Sequence, residues 1–149
     1  MFESINPVDI KNHWAQQCIT QLVSRQIVKG YPDQTFRPEG TITRAEFAVI
    51  LQKAFAKTTD EQTNVNVPPL NQDVYFSDVP KSHWAYNAIQ IAAYRNFVVG
   101  YPNGTFQPNQ NISRVQAIAV IRNIFNFPEQ KNTEQVLKQY FDDWQTIPA

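Results

Sequence analysis

The chain has 149 residues, the size of one compact domain. Its 13 basic and 13 acidic side chains cancel to zero formal charge, which removes the electrostatic footprint of a nucleic-acid binder or of a helix lying on an anionic membrane. The lone Cys18 excludes an internal disulfide, and no apolar run approaches the roughly 20 residues needed to cross a bilayer.

Residues 1–8 read as an extended lead-in, with neither the charged n-region nor the apolar h-region of a secretory signal. A first helix is predicted from His13, with Asn12 as its cap. Trp14, Ala15, Cys18, Ile19, Leu22 and Val23 then follow the three-and-four spacing of one helical face. This places Cys18 and Trp14 in the core, and Gly30 as the left-handed residue after the helix. Tyr31 to Phe36 carry turn chemistry, with Pro32 and Asp33. Phe36 is a large apolar residue in a polar loop and is expected to tuck inward. Thr43 and Glu46 form a capping box that opens a second helix running to Phe55.

The same unit then returns. Laying 13–55 over 83–125, a shift of 70 residues without a gap, gives 15 identities in 43 positions. They include His13/His83, Trp14/Trp84, Gly30/Gly100, Tyr31/Tyr101, Phe36/Phe106 and Arg44/Arg114. A fixed period of this kind means stacked copies of one supersecondary unit, each unable to bury its apolar face alone. The fold class is therefore all-α, with tandem helix–loop–helix repeats packed as a bundle. Repeat one spans 9–55 and repeat two 76–125. Residues 56–75 are rich in Thr, Asn, Gln and Pro and read as a linker. Residues 126–149 form a connector, with one or two helical turns over Thr133–Tyr140. Tyr140-Phe141-Asp142-Asp143 resembles Tyr75-Phe76-Ser77-Asp78, so the natural protein is expected to continue into a third repeat.

No catalytic constellation is visible, and an enzyme is not expected. The two histidines, His13 and His83, lack metal-ligand spacing. Structural hydrogen bonds at the helix start, with Asp9 and Asp78 nearby, are the expected role. No cofactor is implied. Arg44 and Arg114 are the most informative residues. Each stands at the first position of a helix, where the peptide dipoles already place positive charge and acidic residues are the usual choice. Two readings stand open. Either each Arg folds back onto a nearby acceptor, or guanidinium and unpaired N–H groups together make an anion site. Trp14/Trp84 and Tyr31/Tyr101 border the same region, and their faces can hold a sugar ring. The amide-rich composition, 13 Asn and 16 Gln, also suits sugars.

Asp-x-x-x-His-Trp-Ala, then Gly-Tyr-Pro-Asp-x-Thr-Phe-x-Pro, then Thr-Arg-Ala-Glu, resembles the S-layer homology (SLH) repeat. Repeat two is similar through Phe76–Val79, His83–Ala85, Gly100–Phe106 and Ser113-Arg114. The phrase Ile112–Gln116 looks most like cyanobacterial members. The resemblance implies a non-catalytic anchor of the cell envelope, outside the cytoplasm and without membrane insertion. Its partner would be peptidoglycan or a peptidoglycan-linked secondary cell-wall polysaccharide, in some members bearing a pyruvate ketal. It implies three repeats in a pseudo-threefold bundle, of which this chain holds part, with ligand grooves between neighbours. On that likeness the glycan-binding residues are Arg44, Arg114, Tyr31, Tyr101, Trp14, Trp84, Glu46 and Asp33. The alternative is an assembly module whose apolar faces dock other repeats or self-associate, with no glycan site of its own.

Overall fold

The computed structural model describes residues 7–56, 74–125 and 133–140, together with 142 and 145. Residues 57–73 of the linker expected at 56–75, and Phe141 and Asp143 of the third-repeat signature, lie outside the described residues. A 3-10 turn, Val8–Ile10, leads to α1 (Gln16–Ser24) and α2 (Arg44–Ala56). Next come α3 (Tyr86–Tyr94), α4 (Arg114–Phe125) and α5 (Thr133–Tyr140). The described residues hold no sheet, only an isolated antiparallel bridge between Thr43 and Asn111. The all-α expectation holds, and so does the short helix at 133–140.

Each repeat starts its first helix by a device that side-chain spacing did not show. Asn12 does not cap α1. It has φ of 63° and donates its backbone N–H to Gln16 Oε1. The imidazole takes the capping place instead, with Nδ1 of His13 accepting the Ala15 N–H and Nδ1 of His83 the Ala85 N–H, both at 3.1 Å. Such a ring carries its proton on Nε2, which in His13 meets Glu39 Oε1 at 2.7 Å. The aspartates expected beside these rings work elsewhere. Asp9 accepts from the Phe36 and Arg37 amides, and Asp78 from the Phe106 and Gln107 amides, at 2.7–2.8 Å. Each aspartate thus ties the start of its repeat to the loop before the second helix. Arg37 and Gln107, with φ near 60°, sit at the tied position.

Both glycines after the first helix also serve a different purpose from the one expected. The left-handed residues there are Gln26 and Asn96, at φ of 57°, and α1 and α3 end earlier than Gly30 and Gly100 suggested. Gly30 and Gly100 lack a side chain because there is no room for one. A Cβ on Gly30 would lie 2.7 Å from Thr35 O, and one on Gly100 would run into the Phe76 ring. The capping boxes stand as expected. Glu46 accepts from the Thr43 N–H at 2.7 Å while the Glu46 N–H donates to Thr43 Oγ1, and Ser113 and Gln116 repeat the exchange.

The core belongs to the contact between repeats. α2 packs on α3, with Ala45, Ala48 and Leu51 facing Ala88, Ile89, Ala92 and Ala93 in one buried cluster. Small side chains on both helices let them approach closely. Gln90 is fully buried on α3, yet its amide is satisfied in both directions by the Val74 N–H and C=O, each at 2.7 Å. It clamps the strand of chain that leads into repeat two. The matching positions of the other two helices are largely open, although Ile19 of α1 is buried. Val115, Ile118 and Ile121 of α4 correspond to Ala45, Ala48 and Leu51, but they lie on the surface. Cys18 of α1 is exposed where Ala88 of α3 is buried, so the core expected at Cys18 is not there.

Phe106 is fully buried, against Phe76, whereas Phe36 is only partly covered. The equal burial expected of the two rings fails because only Phe106 has a neighbouring repeat over it. Phe106→Ala should therefore lower unfolding free energy by about 3–5 kcal/mol. Phe36→Ala should cost less, roughly 1–2 kcal/mol. Urea unfolding of both variants checks the difference.

Candidate functional site

Arg44 takes the first of the two readings that its position left open. The residue is 8% exposed. Its Nε donates to Phe106 O at 2.8 Å and its Nη2 to Val99 O at 2.9 Å, both in repeat two. The guanidinium lies 4.5 Å from the Phe106 ring centre and 5.1 Å from that of Tyr101. The backbone N–H groups at the start of α2 are not free either. Arg44 N–H donates to Gln110 O and Ala45 N–H to Pro108 O, so the loop of repeat two supplies the acceptors that a bound anion would otherwise supply. Burial pulls the Arg44 pKa below its ordinary value, while Tyr101 and Asp78 pull it back up. Two carbonyls and two aromatic faces hold a charge that would otherwise be costly to take out of water.

Around this joint runs a groove of about 260 Å3, bounded by Arg44 and Phe47 of repeat one and by Val99, Tyr101, Gln116 and Asn123 of repeat two. Its polar groups are largely used internally. The Tyr101 hydroxyl donates to Gln110 Oε1 at 2.9 Å and accepts from Gln116 Nε2 at 3.2 Å.

The corresponding surface of repeat one is a second groove, of about 510 Å3. The smaller groove falls below the usual range of small-molecule sites and the larger falls within it. Lys29, Tyr31, Glu46 and Lys53 line the larger groove from repeat one, and Trp84 from repeat two. Arg37 covers one face of Tyr31 at 4.0 Å and pairs with Asp33 at 2.9 Å. Asp33 also accepts from the Thr35 hydroxyl and N–H, so it holds the loop together. Asn103 does the same work in repeat two.

The expected site residues therefore divide. Tyr31, Glu46 and Trp84 line the larger groove, while Arg44 and Tyr101 line the smaller. Asp33 braces the loop beside the larger one. Arg114 is exposed at the head of α4. Trp14 is 89% exposed on a shallow surface shared with His13, Gln17 and Gln21, away from both grooves. Neither tryptophan is in the core, as the apolar stripe had suggested; Trp84 is 65% exposed. Both rings lie instead against their neighbouring imidazoles, at 5.6 and 5.8 Å between centres. Lys29 and Lys53 were not picked out from the sequence. The signal was present as charge differences between the copies, since their partners are Val99 and Asn123.

Comparison with known proteins decides the family. The S-layer homology domain profile matches residues 8–48 and 75–118. The chain belongs to the S-layer homology family. Modules of this family are non-catalytic anchors of proteins at the cell surface and bind cell-wall polysaccharide or peptidoglycan. The cellulosome-anchoring protein of Acetivibrio thermocellus is 34% identical over 119 residues, 79% of this chain and 25% of that protein. Cell surface glycoprotein 1 of the same organism is 34% identical over 109 residues, 73% of this chain and 5% of its own length. Endo-1,4-beta-xylanase A of Thermoanaerobacterium saccharolyticum is 35% identical over 106 residues, covering 71% of this chain but 8% of the enzyme. The chain thus spans a quarter or less of the length of these relatives. Among the described residues, no helix of this SLH chain is long and apolar enough to cross a membrane.

Two expectations follow. Arg44→Ala should destabilise the SLH module by roughly 2–4 kcal/mol, because it orphans the buried Phe106 carbonyl and removes the charged donor from the Val99 carbonyl. Arg114→Ala should stay within about 0.5 kcal/mol. Thermal and urea unfolding of both variants measure this. The Thr35 hydroxyl first, and then Arg37, hold the Asp33 carboxyl down to about 2. Because the folded value is depressed, the contribution of Asp33 is complete above the ordinary carboxylate range and is lost as pH falls through about 2. A carbon-13 NMR titration of the Asp33 carboxyl should show its midpoint there, and Asp33→Asn should keep the fold, as Asn103 does in repeat two, while losing this pH-dependent contribution.

Proposed function

We propose that this chain is a non-enzymatic anchoring module that holds its parent protein to the cell envelope by binding a peptidoglycan-linked polysaccharide between its repeats. The observation that carries this reading is the larger groove. An exposed indole from repeat two stands at a groove of repeat one that also carries a phenol ring and two lysines. Aromatic faces pack on the apolar faces of sugar rings, and flanking cations or amides fix the orientation of the hydroxyls and acids. On this reading Tyr31, Trp84 and Glu46, which line the groove, contact the glycan. Arg44 and Tyr101 contribute chiefly by holding the repeats in register. Arg114 belongs to a groove that a further repeat would complete. A pyruvate ketal on the polysaccharide would give the groove a carboxylate to bind. Localisation outside the cytoplasm, in the cell wall or periplasm, follows from the ligand.

A specific observation also favours an assembly role beside the glycan role. Val115, Ile118 and Ile121 on α4 repeat the face that α2 buries against α3, and α1 repeats the receiving face. The chain therefore carries an open α4 half of a second copy of its own internal interface, and on α1 a partly open receiving half at Cys18 and Leu22. A further repeat, or another chain, would cover them by the same packing. Light scattering separates these two forms of cover, since only the second makes apparent mass rise with concentration.

The glycan reading is tested by co-sedimentation with purified peptidoglycan sacculi. The module should pellet with sacculi that carry their polysaccharide and stay in solution once mild acid has removed the ketals. Trp84→Ala should release at least 10-fold of the binding, the cost of about 1.4 kcal/mol, while leaving the melting temperature unchanged. Equal pelleting of Trp84→Ala and wild type would remove the groove from the account.

A further inference from the structure

The loops that follow Gly30 and Gly100 are one turn with an exchange of chemistry. Asp33-Gln34-Thr35 in repeat one becomes Asn103-Gly104-Thr105 in repeat two. Asn103 Oδ1 accepts from the Thr105 N–H at 3.2 Å and from the Thr105 hydroxyl at 2.7 Å. Asp33 Oδ1 accepts the same two groups, at 3.0 and 2.6 Å. The turn therefore holds an amide or a carboxylate by the same bonds. The two differ in reactivity, because an amide carbon can lose ammonia to a neighbouring nitrogen.

Asn103-Gly104 is the one Asn-Gly pair among the 13 asparagines of the sequence. Both residues are exposed. Gly104 has φ of 78°, and a Cβ built on it would meet nothing within 4 Å. Its nitrogen is thus uncrowded, whereas Gln34, at φ of 63° in repeat one, carries a side chain beside the same nitrogen. The Thr105 donors sit on Oδ1, where negative charge gathers when a nucleophile adds to Cγ. They are placed to stabilise that charge as oxyanion-hole donors do. One bond acts as a brake. The Gly104 N–H donates to Tyr101 O at 3.0 Å and must be released first. A single hydrogen bond in an exposed loop opens at far lower cost than the core does.

We infer that Asn103 is a self-deamidation site, with Gly104 N as the nucleophile, Thr105 stabilising the developing charge and water as the co-reactant. The Gly104 amide proton passes to solvent, the nitrogen bonds to Asn103 Cγ, and the Cγ–Nδ2 bond breaks to release ammonia. The product is a succinimide ring. Water then adds to one of its two carbonyls and breaks that carbonyl's bond to the ring nitrogen. Opening at Cγ leaves aspartate at position 103, which the turn accepts, as Asp33 shows. Opening at the main-chain carbonyl leaves isoaspartate and a backbone one carbon longer. That would draw Gly104 O away from the Ser77 N–H that it binds at 3.1 Å, loosening the loop from the entry to repeat two. Either product is a carboxylate without the arginine partner of Asp33, since position 107 is Gln where repeat one has Arg37. The charge of the module thus depends on its age. The inference is independent of the glycan reading.

The test holds the full 149-residue chain, folded, at mildly alkaline pH over days. Peptide-mapping mass spectrometry and anion exchange follow the reaction. The mass gain of an amide-to-acid exchange should appear at Asn103 before any other asparagine, with a more acidic species eluting beside it. Gly104→Gln installs the residue of repeat one and should keep the fold while staying unmodified over the same period. Thr105→Val should slow the reaction roughly 10-fold, less than the loss of a donor from a buried oxyanion hole costs. Asn103→Asp should melt as wild type does. A folded chain that stays unmodified at Asn103 while the urea-unfolded chain reacts there would overturn the inference, because the fold would then shield the site. Earlier reaction at another asparagine would overturn it too. An unchanged rate in Thr105→Val would remove Thr105 from the step.

Discussion

A guanidinium taken out of water fixes how the two repeats meet. Arg44 stands at the head of α2, where the helix dipole disfavours a cation, and it is tolerated because repeat two surrounds it with acceptors. The Phe106 and Val99 carbonyls take the side chain, and the Gln110 and Pro108 carbonyls take the first backbone N–H groups. Ile112 N–H then donates back to Ile42 O. A helix end that would otherwise be left unsatisfied is thereby completed by another repeat. The alanine contact of α2 with α3 and the burial of Phe106 are consistent with this register, and so are the volumes of both grooves.

The joint also explains why similar repeats are not equivalent in the folded chain. Among the described residues, repeat two receives an arginine and repeat one receives none. The receiving surface on repeat one is therefore the wider groove, and it is there that Lys29, Lys53, Tyr31 and Trp84 meet. Identity between the copies is highest in the loops and turns that make the fold, such as Gly-Tyr-Pro and Thr-Phe. Among the groove positions the divergence includes the charged ones, Lys29, Arg37, Glu46 and Lys53, which become Val99, Gln107, Gln116 and Asn123.

Much of this was legible in the sequence, and the limits have physical causes. Capping boxes were read correctly because Thr43–Glu46 and Ser113–Gln116 are local, closed within three residues. The roles of Asp9 and Asp78 were missed because the amides they bind lie 27 to 29 residues further on. Trp14, Trp84 and Cys18 were placed in the core because helical periodicity shows which residues share a face, not whether that face has a neighbour. Here α3 has one and α1 largely does not. The dipole argument at Arg44 correctly marked an unusual residue, but its acceptors are 55 and 62 residues away. Lys29 and Lys53 carry no motif and stand out only when one repeat is subtracted from the other.

Native-state hydrogen exchange at the joint tests the central claim most directly. The Arg44, Ala45 and Ile112 amides all donate across the boundary between repeats. If the repeats are locked into one unit by this joint, these three amides should exchange only through global unfolding. Their protection should then match that of the α3 amides of Ile89 and Ala92. Exchange of the three at the rate of exposed loop amides, with α3 still protected, would show that the repeats separate without unfolding and would contradict the account.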